Sequence, residues 1–158
     1  MLTIDLIGDR ELVAKLDATP WALRGGVART MTRLSIETEL LVKQKLSGQV
    51  LRVRSGALRA SIRARVSESM SAITATISST GVRYAAIHEF GGTIHIPEIT
   101  PQKASVLAFQ IGGQTIFAMR AKAHDVRIPQ RSFMASALRE MQPRIRSELQ
   151  DAVNKALK

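Results

Sequence analysis

Apolar residues recur at threes and fours along the first third of the chain. Leu23, Val27, Met31, Leu34 and Leu41 form one stripe that runs to about Leu46, the repeat of a helix with one buried face. Thr19-Pro20 suits the start of that helix, with threonine at the cap and proline in the first turn, and Ser47-Gly48 suits its end. Gly25-Gly26 weakens the early turns and predicts a bend or a close neighbour. Ahead of this helix, Leu2, Ile4 and Leu6 alternate with Thr3 and Asp5 as a short half-buried strand, and Leu12, Val13 and Leu16 keep helical spacing over 9–18.

Past Gly48 the period falls to two. Ile62, Ala64 and Val66 alternate with Arg63 and Arg65, and Ile73, Ala75 and Ile77 alternate with Thr74 and Thr76. Two antiparallel strands joined across 67–72 are expected. Residues 93–96, 107–111, 115–119 and 126–128 read as further strands, with Gly112-Gly113 as a tight hairpin turn and 97–103 as an exposed loop. Ser132 can cap a last helix striped by Met134, Leu138, Met141, Ile145, Leu149 and Val153, which Pro143 should kink. The expectation is a single α+β domain over 1–158. A mainly antiparallel sheet is flanked by a long N-terminal helix and a C-terminal helix, with a protruding hairpin and loop.

Composition supports one ordered domain: 158 residues, 45% hydrophobic and 23% charged. No apolar run approaches the roughly 18 residues of a membrane span, and the start lacks a basic-then-apolar leader, so a soluble, intracellular product is expected. Zero cysteine excludes disulfides, thiolate nucleophiles and Cys-ligated metals. The formal charge of +10 raises the question of nucleic acid. Residues 1–47 carry a net +1, 48–92 carry +4, 93–131 carry +3 and 132–158 carry +2. No run of five or six like charges forms a nucleic-acid tail, and with aromatics at 4% a base-stacking platform is poorly supplied.

Catalytic patterns are weak. His88-Glu89 starts like a zinc-protease helix, but Gly92 stands where the second ligand belongs. A zinc site from His88, His95 and His124 is conceivable, yet their spacing does not require one. Neither a Gly-x-Ser-x-Gly nucleophile turn nor a phosphate-binding glycine-lysine loop occurs. Acids are few, Glu89 and Glu98 read as loop residues, and a glycosidase-type carboxylate pair is not something the sequence decides. No catalytic residue, metal or cofactor is assigned, and a non-enzyme is expected.

Three strings point elsewhere. Leu46-Ser47-Gly48-Gln49-Val50-Leu51-Arg52-Val53-Arg54-Ser55-Gly56-Ala57-Leu58-Arg59-Ala60-Ser61-Ile62 follows a helix end. Tyr84-Ala85-Ala86-Ile87-His88-Glu89-Phe90-Gly91-Gly92 and Ile128-Pro129-Gln130-Arg131-Ser132-Phe133-Met134 come later, the last before the closing helix. In order and spacing they resemble the tail-completion, or head–tail joining, proteins of long-tailed phages and prophages, of the lambda minor tail protein Z and Mu virion-morphogenesis protein G types. The likeness spans roughly 1–150, with Gln130 and Ser132 departing from the usual small residue and proline.

The resemblance implies a structural virion protein, a ring of six copies at the neck that joins the tail to the head connector and lines the DNA channel. A tail terminator or a minor tail component of similar fold is the alternative, and a basic DNA-binding module is a rival of another class. Implied partners are other copies of the chain, connector or stopper proteins, the tail tube or terminator, and transiently the passing double-stranded DNA. Implied locations are the virion and, during assembly, the host cytoplasm. Gly56, Leu58, Tyr84, Glu89, Phe90, Gly91, Pro129, Arg131 and Phe133 are expected to anchor the fold, with Tyr84, Ile87 and Phe90 on one helical face. For Arg52, Arg54 and Arg59 a solvated face and an interface remain equally open. Gly112, Gly113 and the loop 97–105 are candidates for contacts between copies.

Overall fold

A computed structural model describes residues 2–6, 21–51, 55–102 and 104–156, with side chains from Leu23 onward. The predicted stripe becomes helix α1, Trp21–Gln44. It ends in a wide turn over Lys45–Gln49, where Gly48 takes φ +121° and the Val50 N–H reaches the Lys45 carbonyl at 2.9 Å. Helix α2 (Ala57–Ser61) leads into strand β2 (Ile62–Glu68), followed by β3 (Ile73–Ser79), helix α3 (Ala85–Phe90), strands β4 (Gly92–Ile96), β5 (Leu107–Ile111), β6 (Gln114–Ala118) and β7 (His124–Ile128), and helix α4 (Met134–Ala156). Strand β1 (Leu2–Leu6) pairs with β3. The helix expected over 9–18 and the Thr19-Pro20 start lie outside the described residues, as do Arg52 and Arg54.

Sheet β1-β3-β2 is antiparallel throughout, with Ile62 opposite Ser79 and Glu68 opposite Ile73. Its period-two pattern turns Ile62, Ile73, Ala75 and Ile77 toward the helices, while Arg63 and Arg65 stay exposed. Helix α1 lies across β2 and β3 and packs lengthwise on α4. One core cluster joins Leu23, Val27, Met31 and Leu34 of α1 to Met141, Ile145, Leu149 and Val153 of α4. A second gathers Val42, Leu46, Leu58, Ile62, Ile77, Phe133 and Met134 where the helix ends converge. Among the described residues, nothing lies within 4 Å of a Cβ at Gly26, and only the Arg29 guanidinium, 3.6 Å away, at Gly25. Helix α4 continues through Pro143, whose ring lies on the exposed side, where water can serve the carbonyl left without a donor.

The later strands do not extend the main sheet. The pairing β4–β7 runs from Gly92↔Ile128 to Ile96↔His124, and the bridge Ile99↔Ala121 keeps the same register. Pairing resumes at Leu107↔Ala118, after five extra residues on the outgoing side (99 to 107 against 121 to 118), and ends at Ile111↔Gln114. The result is one two-stranded ribbon, up to roughly 50 Å along its shorter leg at strand rise. No described residue from 92 to 128 is buried.

The two long helices are also laced by charge. Arg33 hydrogen-bonds Glu148, Arg144 reaches Glu148 at 2.7 Å and Glu37 at 3.0 Å, and Lys45 meets Glu140 at 2.8 Å. The hydrogen bond from Arg33, and then that from Arg144, pulls the Glu148 carboxyl down from 4.5 to about 2. A depressed carboxyl stabilises the fold above its unfolded value, and that contribution fades as pH falls from 4.5 toward 2. We expect Glu148→Gln to be less stable than wild type at neutral pH and to converge with it near pH 2, as read from urea midpoints across that range.

Candidate functional site

Helix α3 is only one and a half turns long, yet it organises the base of the ribbon. Its inward residues are Ala85 and Glu89, four apart, and Glu89 is 1% exposed. The Glu89 carboxylate accepts the N–H groups of Phe133 at 2.8 Å, Met134 at 2.9 Å and Ala135 at 2.8 Å. These are the donors that the start of an α-helix leaves without partners, at the end where the helix dipole favours negative charge. Glu89 therefore caps α4 from 44 residues away, and it does so on a helix rather than in the loop setting expected for it. Ser132, the expected local cap, instead donates its hydroxyl to the Glu89 carbonyl at 3.1 Å and accepts the Gln130 amide at 2.9 Å.

Neighbouring contacts complete the clasp. The Arg131 N–H meets the His88 carbonyl at 2.7 Å. Gly91 has φ +72°, and a Cβ there would sit 2.8 Å from the Gln130 backbone nitrogen, so only glycine fits without moving main chain. Phe133, at 0% exposure, fills the cluster under α2 and α3. Both legs of the ribbon thus leave from adjacent, hydrogen-bonded points, with exposed Pro129 ending the returning leg.

Among the other expected anchors, Gly56 adopts φ +74° at the start of α2, and Leu58 is buried behind it. The structure turns two aromatics the other way. Phe90 is 63% exposed, and Tyr84 is half in solvent, edge-on to the His88 ring at 5.9 Å. The buried ridge of α3 follows 85 and 89, not 84, 87 and 90, because Glu89 must face α4. Arg59 is exposed and has no partner among the described residues. Gly112 and Gly113 take φ +60° and +84°, the left-handed pair that a two-residue hairpin turn demands.

The histidines stay apart in their roles. His95 pairs with Asp125 across the ribbon at 2.7 Å, His124 Nδ1 faces the Lys122 carbonyl at 3.0 Å, and His88 stands at the ribbon's base. Among the described residues no three His, Asp or Glu side chains gather as a metal-ligand set.

Two surfaces beside the clasp have no other described element packed on them. The ribbon exposes Ile94, Ile99, Val106, Ile111, Ile116, Phe117 and Met119. Beside its base a groove of about 900 Å³ has Leu46, Val50, Leu51 and Leu58 in its floor and Arg59, Tyr84, His88 and Arg131 around it. No described residue of 92–128 lines that groove.

A family model described as the phage virion morphogenesis family matches residues 31–158. The match begins inside α1 and takes in all three strings, α4 and the whole ribbon. No curated protein and no solved structure matches the chain.

Removing the remote cap leaves buried N–H groups without acceptors. Glu89→Ala should destabilise the protein by about 3 kcal/mol, and Glu89→Gln, which keeps one acceptor oxygen, by about half as much. Urea unfolding read by circular dichroism measures both.

Proposed function

The chain belongs to the phage virion morphogenesis family, and on that premise we propose that it is a structural protein of the neck, completing the tail where it meets the head connector. In this reading it acts as a ring of six copies around the channel for exiting DNA, in the manner of the lambda Z and Mu G types. The connector or stopper on one side and the tail tube or terminator on the other are its neighbours. It is made and assembled in the host cytoplasm.

One observation carries the reading: a ribbon spanning 92–128, without a buried side chain among its described residues, fixed at both legs to a two-helix base. A monomer rarely retains so much exposed apolar strand unless a partner covers it. Assembly proteins need this combination, a stable body and a surface completed only in the particle.

The test is genetic and visual. Phage lacking this gene should accumulate filled heads and separate tails, and supplying the protein in trans should restore joined particles. A gold-labelled copy should appear at the head–tail junction by electron microscopy. Intact, infectious particles formed without the protein would overturn the proposal.

A further inference from the structure

We propose that the outer hairpin of the ribbon seats its tip in the groove of a second copy of the same chain, an inference that rests on the ring reading and gives that ring its repeated contact. The hairpin first shows why it needs an occupant's seat. A two-stranded ribbon standing alone is marginal in water. Between β5 and β6, Leu107, Phe109 and Ile111 share one face with Ile116 and Ala118, and Ala108 shares the other with Phe117. Phe117 is 65% exposed and Ile111 62%. Neither edge of the hairpin pairs with another described strand.

Charge selects the partner. Residues 104–119 include no ionisable side chain, in a chain whose net charge is +10. A hairpin meant for nucleic acid or an acidic protein would carry lysine or arginine at its tip. A neutral hairpin is the segment that can enter a like-charged copy without repulsion. The receiving groove fits that chemistry. Its floor is aliphatic, and the guanidinium groups of Arg59 and Arg131 supply donors only. The tip supplies acceptors without charge: the side-chain carbonyls of Gln110 and Gln114 and the main-chain carbonyls of Gly112-Gly113.

Geometry makes the contact intermolecular. The ribbon springs from the rim of its own groove, through the Arg131 to His88 hydrogen bond, and its register carries the tip away along the ladder. Tip and groove are therefore different patches that meet only between copies. Such a head-to-tail contact repeats from copy to copy and closes into a ring when its rotation allows.

The absence of cysteine gives a clean test. Ile111→Cys marks the tip and Ser55→Cys marks the groove, both at exposed positions. The two full-length variants, each checked for a wild-type urea midpoint, are mixed under mild oxidation and run on a non-reducing gel. The expected result is a mixed disulfide dimer in excess of either self-dimer, falling about tenfold when Ile116→Asp is added to the tip variant. A tip-to-tip dimer of the Ile111→Cys protein as the main product, or no mixed dimer, would overturn the proposal. The two readings fail separately. A mixed dimer from a protein that particles do not require removes the neck assignment and keeps the hairpin contact; junction labelling without the mixed dimer does the reverse.

Discussion

Much of this molecule is referenced to a single buried carboxylate. Glu89, on a six-residue helix, accepts three main-chain N–H groups at the start of α4. No local group substitutes for it, since the Ser132 hydroxyl is turned to the Glu89 carbonyl. Through that cap the position of α4 is set, and α4 is the helix whose Met141, Ile145, Leu149 and Val153 complete the core begun by α1. The same clasp holds both legs of the ribbon, one leaving at Gly91 and the other returning at Gln130. Body and ribbon therefore share one reference point, and two of the three family-like strings are the two halves of it.

The local periodicities were readable because burial repeats with the backbone. The parity of β2 and β3 came out residue by residue, and five of the six α4 stripe residues are buried. Ala137 takes the place of Leu138 under the second cluster, where a small side chain lets α4 approach. Thr38 and Ser35 enter the α1 interface unannounced, since each bonds a carbonyl of its own helix, at Leu34 and Thr32. The cap by Glu89 left no signal, as its partners lie 44 to 46 residues away. The ribbon's strands and its Gly112-Gly113 turn were readable, but not its separation from the main sheet: alternation marks a strand with one apolar side, but not whether that side is covered within the chain or by another.

Charge is distributed to match. Most acids of the two long helices are spent on cations beside them: Glu37 and Glu148 with Arg33 and Arg144, Glu39 with Lys43 at 2.5 Å, Glu140 with Lys45. Burial pulls Glu39 upward, but Lys43 and the Ala64 N–H, 2.6 Å away, outweigh it and hold its carboxyl low. That contact also blunts an open edge of the main sheet, a place where another strand could otherwise add. Among the cations outside these pairs, Arg63 and Arg65 lie on the outer sheet face and Arg59 and Arg131 at the groove.

A sheet edge covered by Glu39 and a hairpin edge left open are opposite solutions within one chain. The difference follows from the charges around each. Strand β2 lies among arginines, so an unguarded edge there would draw anionic partners without selectivity. The hairpin has no charge of its own to attract a wrong partner, and its apolar faces need a shaped, aliphatic seat to gain anything from contact. Leaving that edge open therefore costs little selectivity. The +10 of the chain repels like copies in general, and the neutral tip is the segment that escapes this repulsion in the proposed contact.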